Sequence, residues 1–137
     1  MTSKKLFTII GLTFTGLIIM AGIGWTILQN RTCEGVTQED LLEVISPDIE
    51  AYNRREKESF RIDTDNKNRL IEILKKNQNG WFIPWDTPSE PEFRFEFSRG
   101  SKKVLTVGFG SRMISRGWCF KKLSVLHFHQ LKRIATQ

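Results

Sequence analysis

Glu92-Phe93-Arg94-Phe95-Glu96-Phe97 alternates a charge with a phenylalanine over six residues without a break. Successive side chains of a β-strand point to opposite faces. The stretch therefore predicts a strand with three phenylalanines on its core face and Glu92, Arg94 and Glu96 toward water. Ser98-Arg99-Gly100-Ser101 supplies a turn, and Lys103 to Phe109 reads as the partner strand, with Leu105, Val107 and Phe109 alternating. Gly108 and Gly110 in that partner suggest a bulge or bend. A third strand is expected from Gly117 to Phe128 through Trp118, Phe120, Leu123 and Val125, and then a short C-terminal helix from His129 with Leu131 and Ile134 inward.

Upstream, Pro84, Pro88 and Pro91 exclude helix around the aromatic cluster Trp81-Phe82-Ile83-Pro84-Trp85. Before it, Thr64 or Asp65 opens a helix whose apolar stripe is Leu70, Ile71, Ile73 and Leu74, and Asn79-Gly80 closes it. Earlier still, Thr37 stands three residues before Asp40 in a capping-box pattern ahead of Leu41, Leu42, Val44 and Ile45. Ser46-Pro47 restarts a helix, since proline suits a first helical turn. Two helices, or one bent near Pro47, are expected between residues 38 and 58, with Ile49, Tyr52 and Asn53 on one face. Phe60-Arg61-Ile62 reads as a short strand or a loop. The predicted class is α+β: short helices packed on a three- or four-stranded antiparallel sheet, with the Phe93, Phe95 and Phe97 face meeting Leu70, Ile73 and Leu74.

At the other end of the chain, Leu6 to Leu28 is an uncharged apolar run of 23 residues, preceded by Lys4 and Lys5. As a helix it is long enough for the about 30 Å hydrocarbon core of a bilayer. The flanking lysines predict residues 1–5 in the cytoplasm, 6–28 as a single-pass signal-anchor helix, 29–36 as a connector and 37–137 as an extracytoplasmic domain. A cleaved signal peptide, with Gly22 and Gly24 as the small residues at the cut, is the competing reading. Both send the domain out of the cytoplasm, to a periplasmic or extracellular location. The run holds no GxxxG pair. Asn30-Arg31-Thr32 matches the N-glycosylation pattern but lies beside the membrane, so it is expected to stay unmodified.

Two cysteines, Cys33 and Cys119, lie beyond the run. In an oxidising compartment an internal disulfide is their simplest state, with two free thiols or a bond to another chain as the alternatives. Charge is split along the chain. Residues 34–96 carry all fifteen acids against nine Lys and Arg, and residues 97–137 carry nine Lys and Arg and no acid. Either the two parts neutralise each other on folding, or Arg99, Lys102, Lys103, Arg112, Arg116, Lys121 and Lys122 form a surface for a polyanion or lipid headgroup. No nucleic-acid motif accompanies them, so nucleic acid is not an expected partner.

Catalytic signatures are absent: there is no GxSxG, HExxH or P-loop. His127 and His129 would share one strand face, but no third ligand lies nearby in sequence, so neither a metal nor another cofactor is expected. Asp63 and Asp65 fall where a helix begins and read as caps. Trp81, Phe82 and Trp85, stiffened by prolines, are the candidate protein-binding surface. The sequence therefore predicts a membrane-anchored accessory subunit or inhibitor-like module that binds a protein in or at the bilayer, and not an enzyme. A polyanion or headgroup binder is the first alternative, and a small secreted or periplasmic enzyme using His127, His129 and distant carboxylates the second.

Overall fold

Alternation of buried and exposed side chains organises the C-terminal two-thirds of the chain. In the computed structural model, which describes residues 3–29, 31–55, 58–86 and 88–137, the protein divides into two units, residues 1–31 and 32–137. In the first, α1 spans Ser3–Gln29, and its side chains are described from residue 10 to residue 25. The hydroxyls of Thr13 and Thr15 donate to the carbonyls of Ile10 and Gly11, each at 2.9 Å, which keeps them paired within the helix. Leu12, Phe14, Leu17 and Met20 are exposed. The run Leu6–Leu28 thus lies within one helix, yet among the described residues no helix is long and apolar enough to cross a membrane. Asn30 of the glycosylation pattern lies outside the described residues, as do the side chains of Lys4 and Lys5.

The second unit is α+β. Its elements are α2 (Gln38–Val44), β1 (Glu50–Arg55), β2 (Glu58–Ile62), α3 (Thr64–Lys76), β3 (Phe93–Arg99), β4 (Lys102–Gly110), β5 (Met113–Arg116), β6 (Cys119–Lys122) and α4 (Val125–Ala135). One sheet holds all six strands in the order β2-β1-β3-β4-β5-β6, and every neighbouring pair is antiparallel. The expected three or four strands become six for two reasons. Glu50–Arg55 is a strand and not the continuation of a helix past Pro47, because Ile49, Ala51 and Asn53 are buried in alternation with Glu50, Tyr52 and Arg54. Met113–Arg116 forms β5 upstream of the expected third strand, and Gly117-Trp118, expected as that strand's start, is the turn in which Gly117 takes φ +57° and folds β5 back as β6. Ser124 then caps α4, its hydroxyl accepting from the backbone of His127, so the C-terminal helix starts four residues before the expected His129.

The core lies between the sheet and the helices. Phe93, Phe95 and Phe97 of β3 and Leu105, Val107 and Phe109 of β4 join Leu41, Val44, Leu70, Ile73, Leu74, Leu131 and Ile134 in a single buried cluster, the meeting the alternation predicted. Thr37 and Asp40 complete the capping box of α2, and Asp63 caps α3. A disulfide joins Cys33 to Cys119, with their Cα atoms 5.9 Å apart across a sequence separation of 86. Beside it, Phe82 exchanges both backbone hydrogen bonds with Phe120 at 2.9 Å, extending the sheet past β6. The two glycines of β4 do not mark a bulge. The register shift falls between Phe97 and Ser98. A side chain at Gly108 would come within 2.9 Å of Pro91, and one at Gly110 within 2.8 Å of the Glu92 backbone, so these glycines admit the proline segment onto the strand.

Candidate functional site

Helices cover one face of the sheet, and the opposite face carries the polar half of each alternation. There Glu96 is buried between two cations, with Lys103 Nζ at 3.0 Å and Arg54 Nε at 3.4 Å. Arg61 reaches Glu50 at 2.6 Å. Tyr52 donates its hydroxyl to Glu50, and that bond to a carboxylate holds the phenol above its ordinary pKa.

A groove of about 490 Å³ crosses this face. Its floor is Thr106 and Gly108 of β4 with Ser115 of β5, one wall is the segment Pro88–Pro91, and the other is Trp118 and Phe120. Arg94, Glu96 and Lys103 line the rest. The missing Cβ of Gly108 lets Pro91 sit close over the floor, and the β5–β6 turn carries Trp118 to the rim, where 77% of its surface is exposed. An indole at a groove rim offers a large apolar contact at low entropic cost, and the prolines keep the facing wall stiff.

The aromatic cluster expected to bind divides. Trp81 is buried, lies against Gly35 and donates its indole N–H to the Asn77 carbonyl at 2.8 Å, so it belongs to the core. Phe82 is half-buried in its bridge to Phe120. Trp85 is exposed. Trp118, which the sequence reading placed inside a strand, is the most exposed of these rings. The two-residue turn Gly117-Trp118 was the local signal for it.

The basic residues are dispersed. Arg99 pairs with Asp48 and Glu43. Asp48 is held below its ordinary pKa, chiefly by the Ser46 hydroxyl and then by Arg99. Lys103 pairs with Glu96, Arg116 with Asp40, and Lys121 donates to the Asn79 carbonyl. Lys102, Arg112 and Lys122 have no ion pair among the described residues. His127 and His129 lie on α4 and not on a strand. Two residues apart on a helix, they point to different sides. His127 Nδ1 is 3.0 Å from the Asn77 amide nitrogen, and the His129 ring meets Phe128 edge-on. Among the described residues no group of three metal-ligating side chains occurs.

No family model matches the chain, and no curated protein matches it. A solved structure described as "Putative Lipoprotein from Clostridium perfringens" is similar to it at 14% identity and a TM-score of 0.49, over 72% of this chain and 88% of that one.

Proposed function

We propose that this chain is a membrane-anchored, extracytoplasmic binding protein that holds a protein partner on the open face of its sheet. The observation that carries the reading is the groove between Trp118 and Pro91, on the face opposite the helices. Its aromatic rim, stiff proline wall and charges of both signs suit a polypeptide segment better than a polyanion. The anchor rests on the sequence: 23 uncharged residues from Leu6 to Leu28 behind Lys4 and Lys5, all within the residues of α1 or at its flank. The Cys33–Cys119 disulfide fits an oxidising compartment. The reading of the basic residues as a polyanion surface is weakened because Arg99, Lys103 and Arg116 are engaged with carboxylates.

The test is affinity purification from native membranes in mild detergent, with mass spectrometry of what co-purifies. The reading expects a stoichiometric protein that Trp118→Ala removes while the variant stays folded. A chain that comes out alone, or a partner that Trp118→Ala retains, sinks it.

A further inference from the structure

A second groove, on the helical side of the domain, opens between α3 and α4 with a volume of about 370 Å³. That lies within the range of sites that hold small molecules. Its floor includes Ile73 and Ile134, both largely buried. Above them stand Arg69 and Lys76 from α3 and Arg133 from α4. Arg69, Ile73 and Lys76 share one helix face at spacings of four and three. None of the three cations has an ion pair among the described residues, whereas Arg99, Lys103 and Arg116 do. Glu72 is the acid on the groove wall, and Lys75 Nζ holds it at 2.9 Å, which draws its carboxyl below the ordinary pKa. Asn68 and Gln130 add neutral hydrogen-bonding groups.

A cationic rim over an apolar floor is complementary to one kind of ligand. We propose that the α3–α4 groove binds a free amphiphilic organic anion, its carboxylate or phosphate held by Arg69 and Arg133 and its apolar body lying along the groove over the exposed edges of Ile73 and Ile134 and the methylene stems of Arg69 and Lys76. Guanidinium groups match both anions through paired hydrogen bonds, and Lys76 adds a point charge. A lipid still packed in a bilayer presents its headgroup and keeps its chains in the membrane. It would meet the rim and leave the floor unused, so the occupant is a molecule free of the bilayer. The site is separate from the sheet-face groove and stands or falls independently of it.

The test is calorimetric titration of the full-length chain, held in a nonionic amphipol, with decyl phosphate as the probe. Inorganic phosphate, decanol and phosphatidylglycerol vesicles serve as comparisons. The expected result is saturable binding of decyl phosphate that the double variant Arg69→Ala, Arg133→Ala weakens at least about tenfold. Both arginines are exposed, so the variant's urea midpoint should match that of the unchanged chain. Equal binding by the variant, or inorganic phosphate or decanol binding as tightly as decyl phosphate, overturns the proposal. So does arginine-dependent attachment to the vesicles without binding of the free probe, which would make the site a reader of membrane headgroups.

Discussion

Arg116 grips Asp40 with both guanidinium nitrogens, Nη1 to Oδ2 at 2.6 Å and Nη2 to Oδ1 at 2.8 Å. The same Asp40 Oδ2 accepts from the backbone and the hydroxyl of Thr37, at 2.8 and 2.7 Å, to form the cap of α2. The end of the β5–β6 hairpin is thereby tied to the start of the first helix of the domain. Arg116→Ala should lower unfolding stability by about 1–3 kcal/mol, the range for hydrogen bonds to charged groups when the pair is only partly exposed. Arg116→Lys should recover less than half of that, since an ammonium cannot make the forked contact. Urea unfolding followed by circular dichroism measures both, and a lysine variant as stable as the arginine would refute the role of the fork.

The disulfide closes a loop with a sequence separation of 86. On the chain-entropy account, joining residues that far apart stabilises by about 4.5 kcal/mol. Cys33→Ser with Cys119→Ser should therefore shift the urea midpoint down by a large fraction of a small domain's total stability. Adding reductant to the unaltered chain should reproduce the shift. Reductant without effect on that midpoint would mean that the covalent link does not support the fold.

Trp81 and Trp118 should respond oppositely to truncation. Trp81 is in the core and a Cβ on Gly35 would overlap its ring, so Trp81→Ala should cost about 3–5 kcal/mol and Gly35→Ala about 1–3 kcal/mol or more. Trp118→Ala should leave the urea midpoint unchanged within about 0.5 kcal/mol, as exposed positions do. A destabilised Trp118→Ala would show that this indole is structural and would withdraw it from the groove rim.

Ser111 and Arg112 join β4 to β5 in a two-residue turn with φ of +48° and +60°. Two left-handed residues define the turn that hairpins favour, and Asn-Gly fits it best. Each side chain carrying a Cβ there costs about 1 kcal/mol. Ser111→Asn with Arg112→Gly should raise stability by about 1 kcal/mol or slightly more, read as an upward shift in melting temperature. A lower melting temperature would mean that the Arg112 side chain contributes more than its backbone strain costs.

How far the fold could be read depended on how strongly each segment announced its period. β3 and β4 were legible because phenylalanine, leucine and valine marked every inward position, and α3 because four large apolar residues marked one face. β1 was not, because two of its inward positions are Ala51 and Asn53. Neither is a hydrophobic marker, and Asn53 is buried with its amide nitrogen donating to the Ala135 carbonyl 82 residues away. β5 was not legible because Ile114 is its one buried position, and the apolar alternation of Trp118 and Phe120 put a strand's start where the β5–β6 turn lies. Ser124 is the local sign of the last helix, and the spacing of two between His127 and His129, which suits a strand, ran against it. The sheet-face groove was illegible for a different reason. Its walls come from residues 88–91 and 118–120, which only the strand order brings together. No local pattern encodes that meeting.

Asp63 offers a test by pH. Its Oδ1 accepts from the Asn66 backbone at 2.8 Å and its Oδ2 from the Asn66 amide at 2.8 Å. The backbone bond is the main reason its carboxyl lies below the ordinary 3.8. A group whose folded pKa is depressed stabilises fully above its unfolded value, about 3.9, and that contribution is lost as pH falls through the folded value. Asp63→Asn keeps an oxygen able to cap α3 but carries no charge to lose. The urea midpoint of the unaltered chain should thus drop further than that of Asp63→Asn between about pH 6 and about pH 3, so that the gap between them narrows in acid. Asp63→Ala, which has no capping oxygen, should be the least stable of the three at the upper pH. Curves for the unaltered chain and Asp63→Asn that fall in parallel would show that the ionised carboxylate adds nothing beyond a neutral cap.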